Sequence, residues 1–322
     1  MGSGNWSTDV YAAAASYRSA TGASAFAYSD SGATTVHPDL DPHGVTVRES
    51  RDSDDHPESL AIAVLFDVTG SMGTVPRTLQ SKLPDLLGLL LRKGYVEHPH
   101  ILFGAVGDAT CDRAPLQIGQ FEADNRMDDD LGKIYLEGGG GGQMTESYEL
   151  GMYFMARHTS IDCFEKRGKR GYLFMIGDEL AYSKVRRREI AKVIGGEPGE
   201  DIPIEEMLRE LQRMYEVYFI IPEGAYHSRS RKLKDFWQGL LGQHVLYLDD
   251  LDAVCETIAL TIGLAEDAID LDEGLEHLDE FGSAAGASVS RALARLDADR
   301  SPTASSAVPA DLRSAPSATT RL

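Results

Sequence analysis

The chain has 322 residues, of which 42% are hydrophobic, so it is long enough to bury a sizeable core as one large domain or two ordinary ones. Its 31 basic and 51 acidic residues give a net charge of −20, which argues against nucleic-acid binding because a phosphate backbone requires a basic surface. The sequence shows neither a signal peptide nor a run of the ~20 apolar residues that a membrane span needs, and its three cysteines are scattered. We therefore expect a cytoplasmic protein that binds no nucleic acid and has no membrane span.

Residues 1–57 are rich in Ser, Ala, Gly and Asp and show no sustained apolar period. Aromatic residues such as Tyr11, Tyr17 and Phe26 are scattered among them, which makes the segment too apolar for a fully disordered region. We predict an irregular polar arm that is partly docked on the domain that follows.

Residues 58–264 alternate between short apolar runs and longer stretches with apolar residues three and four apart. The apolar runs, rich in Val, Ile, Tyr and Phe, predict buried strands at 61–66, 101–106, 172–176, 217–221 and 245–248. A further run at 116–121 predicts an edge strand. Strands that alternate with helices indicate an α/β fold with a doubly wound, mainly parallel sheet and helices on both faces.

Two further segments follow this domain. Residues 265–281 combine many acidic side chains with apolar ones at helical spacing, which predicts an acidic amphipathic segment. This segment is either a solvated helix face or a docking helix for a basic partner. Residues 282–322 are dominated by Ser, Ala, Thr and Pro, and we predict a disordered tail there.

Carboxylates follow three of the predicted strands. Asp67 ends the first strand, Asp108 follows the second, and Asp178 follows the strand at 172–176. Because ligands of parallel sheets bind beyond the carboxyl ends of the strands, these side chains are expected to share one edge. Converging carboxylates repel each other unless a cation or protons neutralise them.

The loop after the first strand reads Asp67-Val-Thr69-Gly-Ser71 and places two hydroxyls close to a carboxylate. Oxygen donors of this kind suit Mg²⁺, with Mn²⁺ and Ca²⁺ as alternatives. The glycine run 138–142 is followed by Thr145, another hydroxyl at a predicted helix start. The run is either a bare linker or a loop whose backbone approaches an ion or a partner closely.

Five of these residues resemble the metal-ion-dependent adhesion site (MIDAS) of von Willebrand factor A (VWA) domains: Asp67, Thr69, Ser71, Thr145 and Asp178. The family pattern is Asp-x-Ser-x-Ser, a distant Thr and a more distant Asp. The resemblance covers 58–264, and Thr69 stands where Ser is usual; the Thr-Gly-Ser-Met variant is similar to bacterial intracellular members. It implies that Ser71 and Thr145 ligate the metal directly and that Thr69 does so directly or through water. It also implies that Asp67 and Asp178 act mainly through water or by orienting the hydroxyls.

Four further carboxylates lie beside these loops, and each is either a surface group or a group that orients the metal ligands or forms an adjacent cation site: Asp108, Asp112, Glu146 and Glu179. Glu146 has one more alternative, as a cap of the helix that begins near it.

The resemblance implies a non-catalytic, metal-dependent module that captures an Asp or Glu side chain of a partner protein. It further implies an adaptor role beside an AAA+ ATPase of the MoxR or chelatase kind. Two alternatives remain open. One is a metal-dependent phosphoester hydrolase. Such an enzyme would use a second aspartate two positions after Asp67, where this chain has Thr69. The other is a scaffold that acts through its arms.

Overall fold

The computed structural model describes residues 4–138, 144–197 and 199–300. The strands of these residues, in chain order, are β1 (Arg48–Ser50), β2 (Leu60–Asp67), β3 (Pro99–Val106), β4 (Leu116–Ile118), β5 (Thr145–Glu146), β6 (Thr159–Ile161), β7 (Gly171–Ile176), β8 (Leu180–Ala181), β9 (Lys184–Val185), β10 (Ile202–Pro203), β11 (Tyr215–Pro222) and β12 (Val245–Leu248).

Six of these strands form the central sheet, in the order β4-β3-β2-β7-β11-β12. All neighbours pair in parallel except the edge strand β4, which is antiparallel to β3. From β2 the chain first proceeds to β3 on one side and later continues from β7 on the other. The strand order therefore reverses between β2 and β7, which defines the topological switch point of a doubly wound sheet.

The helices of the described residues are α1 (Thr8–Thr21), α2 (Ala27–Asp30), α3 (Val75–Leu87), α4 (Arg126–Lys133), α5 (Tyr148–Arg157), α6 (Asp162–Arg167), α7 (Arg187–Val193), α8 (Ile204–Leu211), α9 (Arg231–Leu241), α10 (Val254–Ala265), α11 (Leu271–Glu280) and α12 (Gly286–Arg300). Helix α3 packs on α10, and α5 packs on α8. Because crossovers between parallel strands are right-handed, the reversal at β2 places these two layers on opposite faces of the sheet. Among the described residues, none of the helices combines the length and the apolar character that a membrane span requires.

Burial explains why the central strands read as continuous apolar runs. All eight residues of β2 and all eight residues of β3 are buried. Strands covered by helices on both faces expose neither side of the pleat, so alternation of apolar and polar residues is lost. The predicted α/β architecture with a mainly parallel, doubly wound sheet is confirmed.

The N-terminal arm is more regular than the sequence suggested. It contains α1, which begins at Ser7, whose hydroxyl accepts from the backbone NH of Val10 at 3.3 Å, and ends at Gly22 with φ of 68°. Tyr11 is the only buried residue of this helix, so no apolar period reveals it. The prediction of an irregular arm is wrong here, because alanine-rich propensity and two caps, rather than an amphipathic pattern, specify the helix.

The prediction of a disordered tail from residue 282 is wrong for α12. This helix packs against β12, α10 and α11 and buries Val289 and Leu293 completely. The guanidinium of Arg291 donates to Asp249 at 2.7 Å. Apolar residues three and four apart, at Val289, Leu293 and Leu296, produce the buried face despite the Ser- and Ala-rich composition. Residues 301–322 lie outside the described part of the chain.

We expect Leu293→Ala to lower the free energy of unfolding by about 2–4 kcal/mol, because a fully buried leucine leaves a cavity when truncated. Urea denaturation measures the change. Ala294→Gln, on the exposed side of the same helix, is the matched control and should change stability by less than about 0.5 kcal/mol. Equal stability of the wild type and Leu293→Ala would contradict the packing of α12.

Candidate metal centre

The carboxyl ends of β2 and β7 bring two predicted ligands to the switch point. The two strands are neighbours, with Phe66 opposite Ile176. Asp67 is the last residue of β2, and Asp178 lies two residues beyond β7. Both side chains are fully buried. The shared edge that the strand pattern predicted is therefore present for this pair.

The loop after β2 folds back on its own aspartate. The backbone NH and the hydroxyl of Thr69 both donate to Asp67 Oδ1, at 2.7 and 2.6 Å. A 3-10 turn over Gly70–Met72 follows and places the Ser71 hydroxyl 3.1 Å from that of Thr69. The alternate spacing of the three polar residues is thus what gathers their oxygen atoms on one side of the loop.

A hydrogen bond across the sheet edge joins this loop to the one after β7. The Ser71 hydroxyl donates to Asp178 Oδ1 at 2.8 Å, and the backbone NH of His227 donates to Asp178 Oδ2 at 2.7 Å. Residues from three separate loops, which follow β2, β7 and β11, consequently form one network of oxygen atoms around Asp178.

Thr145 reaches the same edge through a short strand pairing. It lies in β5, opposite Leu180 of β8, two residues beyond Asp178. At the start of the glycine run, the backbone NH of Gly138 donates to the carbonyl of Val68 at 3.3 Å. The rest of the run, residues 139–142, for which the sequence predicted either a linker or a close-approach loop, lies outside the described residues.

Two buried aromatic residues that no sequence motif indicated, Tyr148 and Trp237, support the site from the core side of the sheet edge. The Tyr148 hydroxyl donates to Asp67 Oδ2 at 3.0 Å. The Tyr148 ring meets those of Phe219 and Trp237 edge-on, and Trp237 Nε1 donates to the carbonyl of Glu179 at 2.9 Å. These contacts join positions far apart in the chain, and no local sequence signal marks them.

Glu146 and Glu179 are buried beside this network, at 2% and 5% exposure. Among the described residues, Glu146 Oε2 and Glu179 Oε2 find no hydrogen-bond partner. Burial, reinforced by the neighbouring carboxylates, raises the pKa values of Asp67, Glu146 and Glu179 above their ordinary range. Buried carboxylate oxygens without partners carry a desolvation penalty that a bound cation would offset.

The donor set fits a hard divalent cation of the kind the sequence predicted. Within the described residues, no group of three or more His, Cys, Asp and Glu side chains is arranged to hold a metal by itself. A cation at this edge would therefore need the hydroxyls as well as the carboxylates. Mixed oxygen donors of this kind are the ones that Mg²⁺, Mn²⁺ and Ca²⁺ accept.

Asp108 and Asp112 belong to a neighbouring loop, after β3. Asp108 accepts from the backbone NH of Thr110 at 2.8 Å and from the Thr110 hydroxyl at 2.7 Å, and the Tyr182 hydroxyl donates to it at 3.1 Å. The backbone NH of Asp108 donates to Asp112 Oδ2 at 2.7 Å. These contacts give both carboxylates a role in fixing the loop beside the candidate site.

Comparisons with known proteins give fold-level likenesses only. The chain matches no known family profile and no curated protein sequence. The open form of the pilus adhesin SpaC from Lactobacillus rhamnosus GG is similar over 67% of this chain and 31% of its own, with 10% identity and a TM-score of 0.45. Proximal thread matrix protein 1 from the mussel byssus is similar over 64% of this chain and 48% of its own, with 12% identity and a TM-score of 0.41. A form of that protein with a zinc-occupied MIDAS motif covers the same shares at 12% identity and a TM-score of 0.39. The chain spans less than half the length of these proteins.

Proposed function

We propose that the chain is a VWA-type, metal-dependent module that binds a partner protein through an Asp or Glu side chain. The observation that carries the proposal is the network of Asp67, Thr69, Ser71 and Asp178 at the switch point, beside buried carboxylate oxygens that lack partners. Mg²⁺ is the ion we assign to it, held by the hydroxyls of Ser71, Thr145 and Thr69. Neutral hydroxyl ligands leave a metal electrophilic enough to accept a further carboxylate from outside.

We further propose that the module is not an enzyme. Both carboxylate oxygens of Asp67 are engaged, Oδ1 by Thr69 and Oδ2 by Tyr148, and the side chain is fully buried. A nucleophilic carboxylate of a phosphotransferase has to present a free oxygen to its substrate. This arrangement supports a structural and electrostatic role for Asp67.

We propose that this module acts in the cytoplasm as an adaptor, and that its partner is an AAA+ ATPase of the MoxR or chelatase kind. The support is the Thr69-Gly-Ser71-Met72 variant of the loop after β2, which resembles that of bacterial intracellular VWA members. The ATPase would carry out the chemistry. This chain would bind either a substrate or the ATPase, through a carboxylate of that protein that coordinates the metal.

Affinity capture from an extract of the source cells tests both levels of the proposal. We expect immobilised wild-type protein to retain one set of proteins in Mg²⁺ and to release it in EDTA. Asp67→Ala should fail to retain that set, whereas Asp54→Ala, an exposed carboxylate in the loop before β2, should behave as the wild type. Mass spectrometry should find an AAA+ ATPase in the set.

Retention of the same proteins in EDTA would contradict the metal-dependent module. A metal-dependent set without an AAA+ ATPase would contradict the adaptor role alone. Turnover of a phosphoester by the wild type that is lost in Asp67→Asn would contradict the non-catalytic assignment.

A further inference from the structure

A basic segment borders the candidate metal centre, and we call residues 226–232 the basic rim. Its backbone is fastened to the site: the NH of Tyr226 donates to the carbonyl of Ser71 at 3.4 Å, and the NH of His227 donates to Asp178 Oδ2 at 2.7 Å. The start of the rim is therefore positioned by Ser71 and Asp178, two residues of the candidate site.

The first residue of the rim is unusually exposed for its type. Tyr226 is 83% exposed, the largest value among the exposed large apolar side chains of the described residues. Its ring meets that of His227 edge-on at 4.7 Å, and His227 Nε2 lies 3.8 Å from Glu179 Oε1. An aromatic ring held in solvent beside a binding site supplies contact area at low entropic cost when a partner covers it.

The charge of the rim is opposite to that of the protein as a whole. Arg229, Arg231 and Lys232 are all exposed, and no acidic residue occurs between Glu223 and Asp235. The Arg231 side chain is 93% exposed and contacts Asp235 at 3.5 Å, an exposed pair that contributes little. In a chain of net charge −20, this cluster creates a local field that attracts acidic groups.

We propose that the basic rim selects a partner segment in which the metal-binding Asp or Glu is flanked by further acidic residues. Arg229, Arg231 and Lys232 meet the flanking carboxylates, and Tyr226 packs against an apolar side chain next to the metal-binding one. The inference rests on the proposed metal-dependent capture of a carboxylate. It adds the chemical class of the partner, which the site residues alone do not specify.

Charge complementarity is the reason for choosing an acidic segment over other occupants. An acidic peptide that approaches this protein meets the field of a net charge of −20, and the three exposed cationic side chains of the rim counter that field where the peptide docks. Rim charges of this kind act mainly on the association rate and on the salt dependence of binding.

Two fluorescein-labelled peptides of about ten residues test the inference by fluorescence anisotropy. Both carry a central Asp-Leu pair; one has Glu and Asp flanks, the other Gly and Ser flanks. We expect metal-loaded wild-type protein to bind the acidic peptide about tenfold more tightly than the neutral one at low salt, and neither peptide in EDTA. The preference should shrink as ionic strength rises.

The variants separate the two parts of the rim. Arg229→Glu combined with Arg231→Glu should abolish the preference for acidic flanks; the milder Arg229→Gln with Arg231→Gln should weaken it. Tyr226→Ala should weaken the binding of both peptides by about tenfold and keep the preference for acidic flanks.

Matched controls lie away from the rim. Arg213→Glu changes an exposed arginine in the loop before β11, at the opposite edge of the sheet, and Tyr17→Ala removes the 67% exposed tyrosine of α1. Both should bind as the wild type, and calorimetry should show unchanged Mg²⁺ affinity in every variant.

Equal affinity of the wild type for the two peptides, or an unchanged preference in the Arg229 and Arg231 variants, would overturn the rim inference and leave metal-dependent capture intact. Failure of metal-loaded wild-type protein to bind either peptide would overturn both.

Discussion

Saturating Mg²⁺ is expected to raise the melting temperature of the wild-type protein by about 5 °C, and Asp67→Asn is expected to abolish that rise. Asp67 is fully buried and interacts electrostatically with three other buried carboxylates, those of Glu146, Asp178 and Glu179. A cation that binds only the folded protein at about 100 times its dissociation constant stabilises it by ~2.7 kcal/mol. Loss of one carboxylate from the centre of the site removes most of that binding energy.

The same variant should behave in the opposite way without metal. In Asp67→Asn the amide oxygen can still accept from Thr69, so the loop after β2 keeps its fold. The variant loses one buried negative charge. Without metal, its free energy of unfolding should therefore equal that of the wild type or exceed it by up to about 2 kcal/mol. This reversal of sign separates a metal site from a merely structural aspartate.

Thermal melts in Mg²⁺ and in EDTA measure both effects. Asp54→Asn, in the loop that precedes β2, is the matched control and should respond to Mg²⁺ as the wild type does. A wild-type melting temperature that is the same in Mg²⁺ and in EDTA would contradict the assignment of a metal centre to this edge of the sheet.

The strands and the site loops could be predicted because their signals are local. Strands buried on both faces read as apolar runs, and the carboxyl-end rule then places Asp67 and Asp178 at one edge without knowledge of any contact. The hydrogen bond from Ser71 to Asp178 is a consequence of that placement. What the rule cannot give is which loops actually touch, since that depends on how each one turns.

The two terminal helices were missed because their signal is of a different kind. Helix α1 buries little, so propensity and capping specify it, and a search for apolar period passes over it. Helix α12 does have the period, at Val289, Leu293 and Leu296, but its Ser- and Ala-rich composition resembles that of a disordered tail. The overall composition counts the buried and the exposed face of the helix together, so it hides the apolar residues of the buried face.

The support beneath the site could not be predicted, because it depends on contacts between distant positions. Tyr148 begins α5, Phe219 lies in β11 and Trp237 lies in α9. Their rings meet only after the sheet is assembled, and single residues of these types are ordinary core residues in a sequence. The same holds for the exposure of Tyr226, which becomes visible only when the loop after β11 is in place.

Trp237→Ala is expected to lower the free energy of unfolding by about 3–5 kcal/mol and also to weaken Mg²⁺ binding in the protein that remains folded. Trp237 is fully buried, stacks on Phe219 at 3.7 Å and meets Tyr148 edge-on at 5.5 Å. Its indole NH fixes the carbonyl of Glu179, the residue after Asp178. Truncation therefore opens a cavity beneath the residues that orient the site.

Urea denaturation and Mg²⁺ calorimetry at a temperature where the variants remain folded distinguish the two effects. Phe121→Ala is the matched control: Phe121 is equally buried, and its neighbour Glu122 pairs with Ile101 towards the start of β3, away from the carboxyl ends of the strands. We expect the control to lose a similar ~3–5 kcal/mol of stability and to keep its Mg²⁺ affinity. If the two variants lost Mg²⁺ affinity equally, general loosening of the core would account for it. A loss confined to Trp237→Ala would instead show that packing below the sheet edge orients Asp67 through Tyr148, so that the metal centre depends on the core as much as on its own loop.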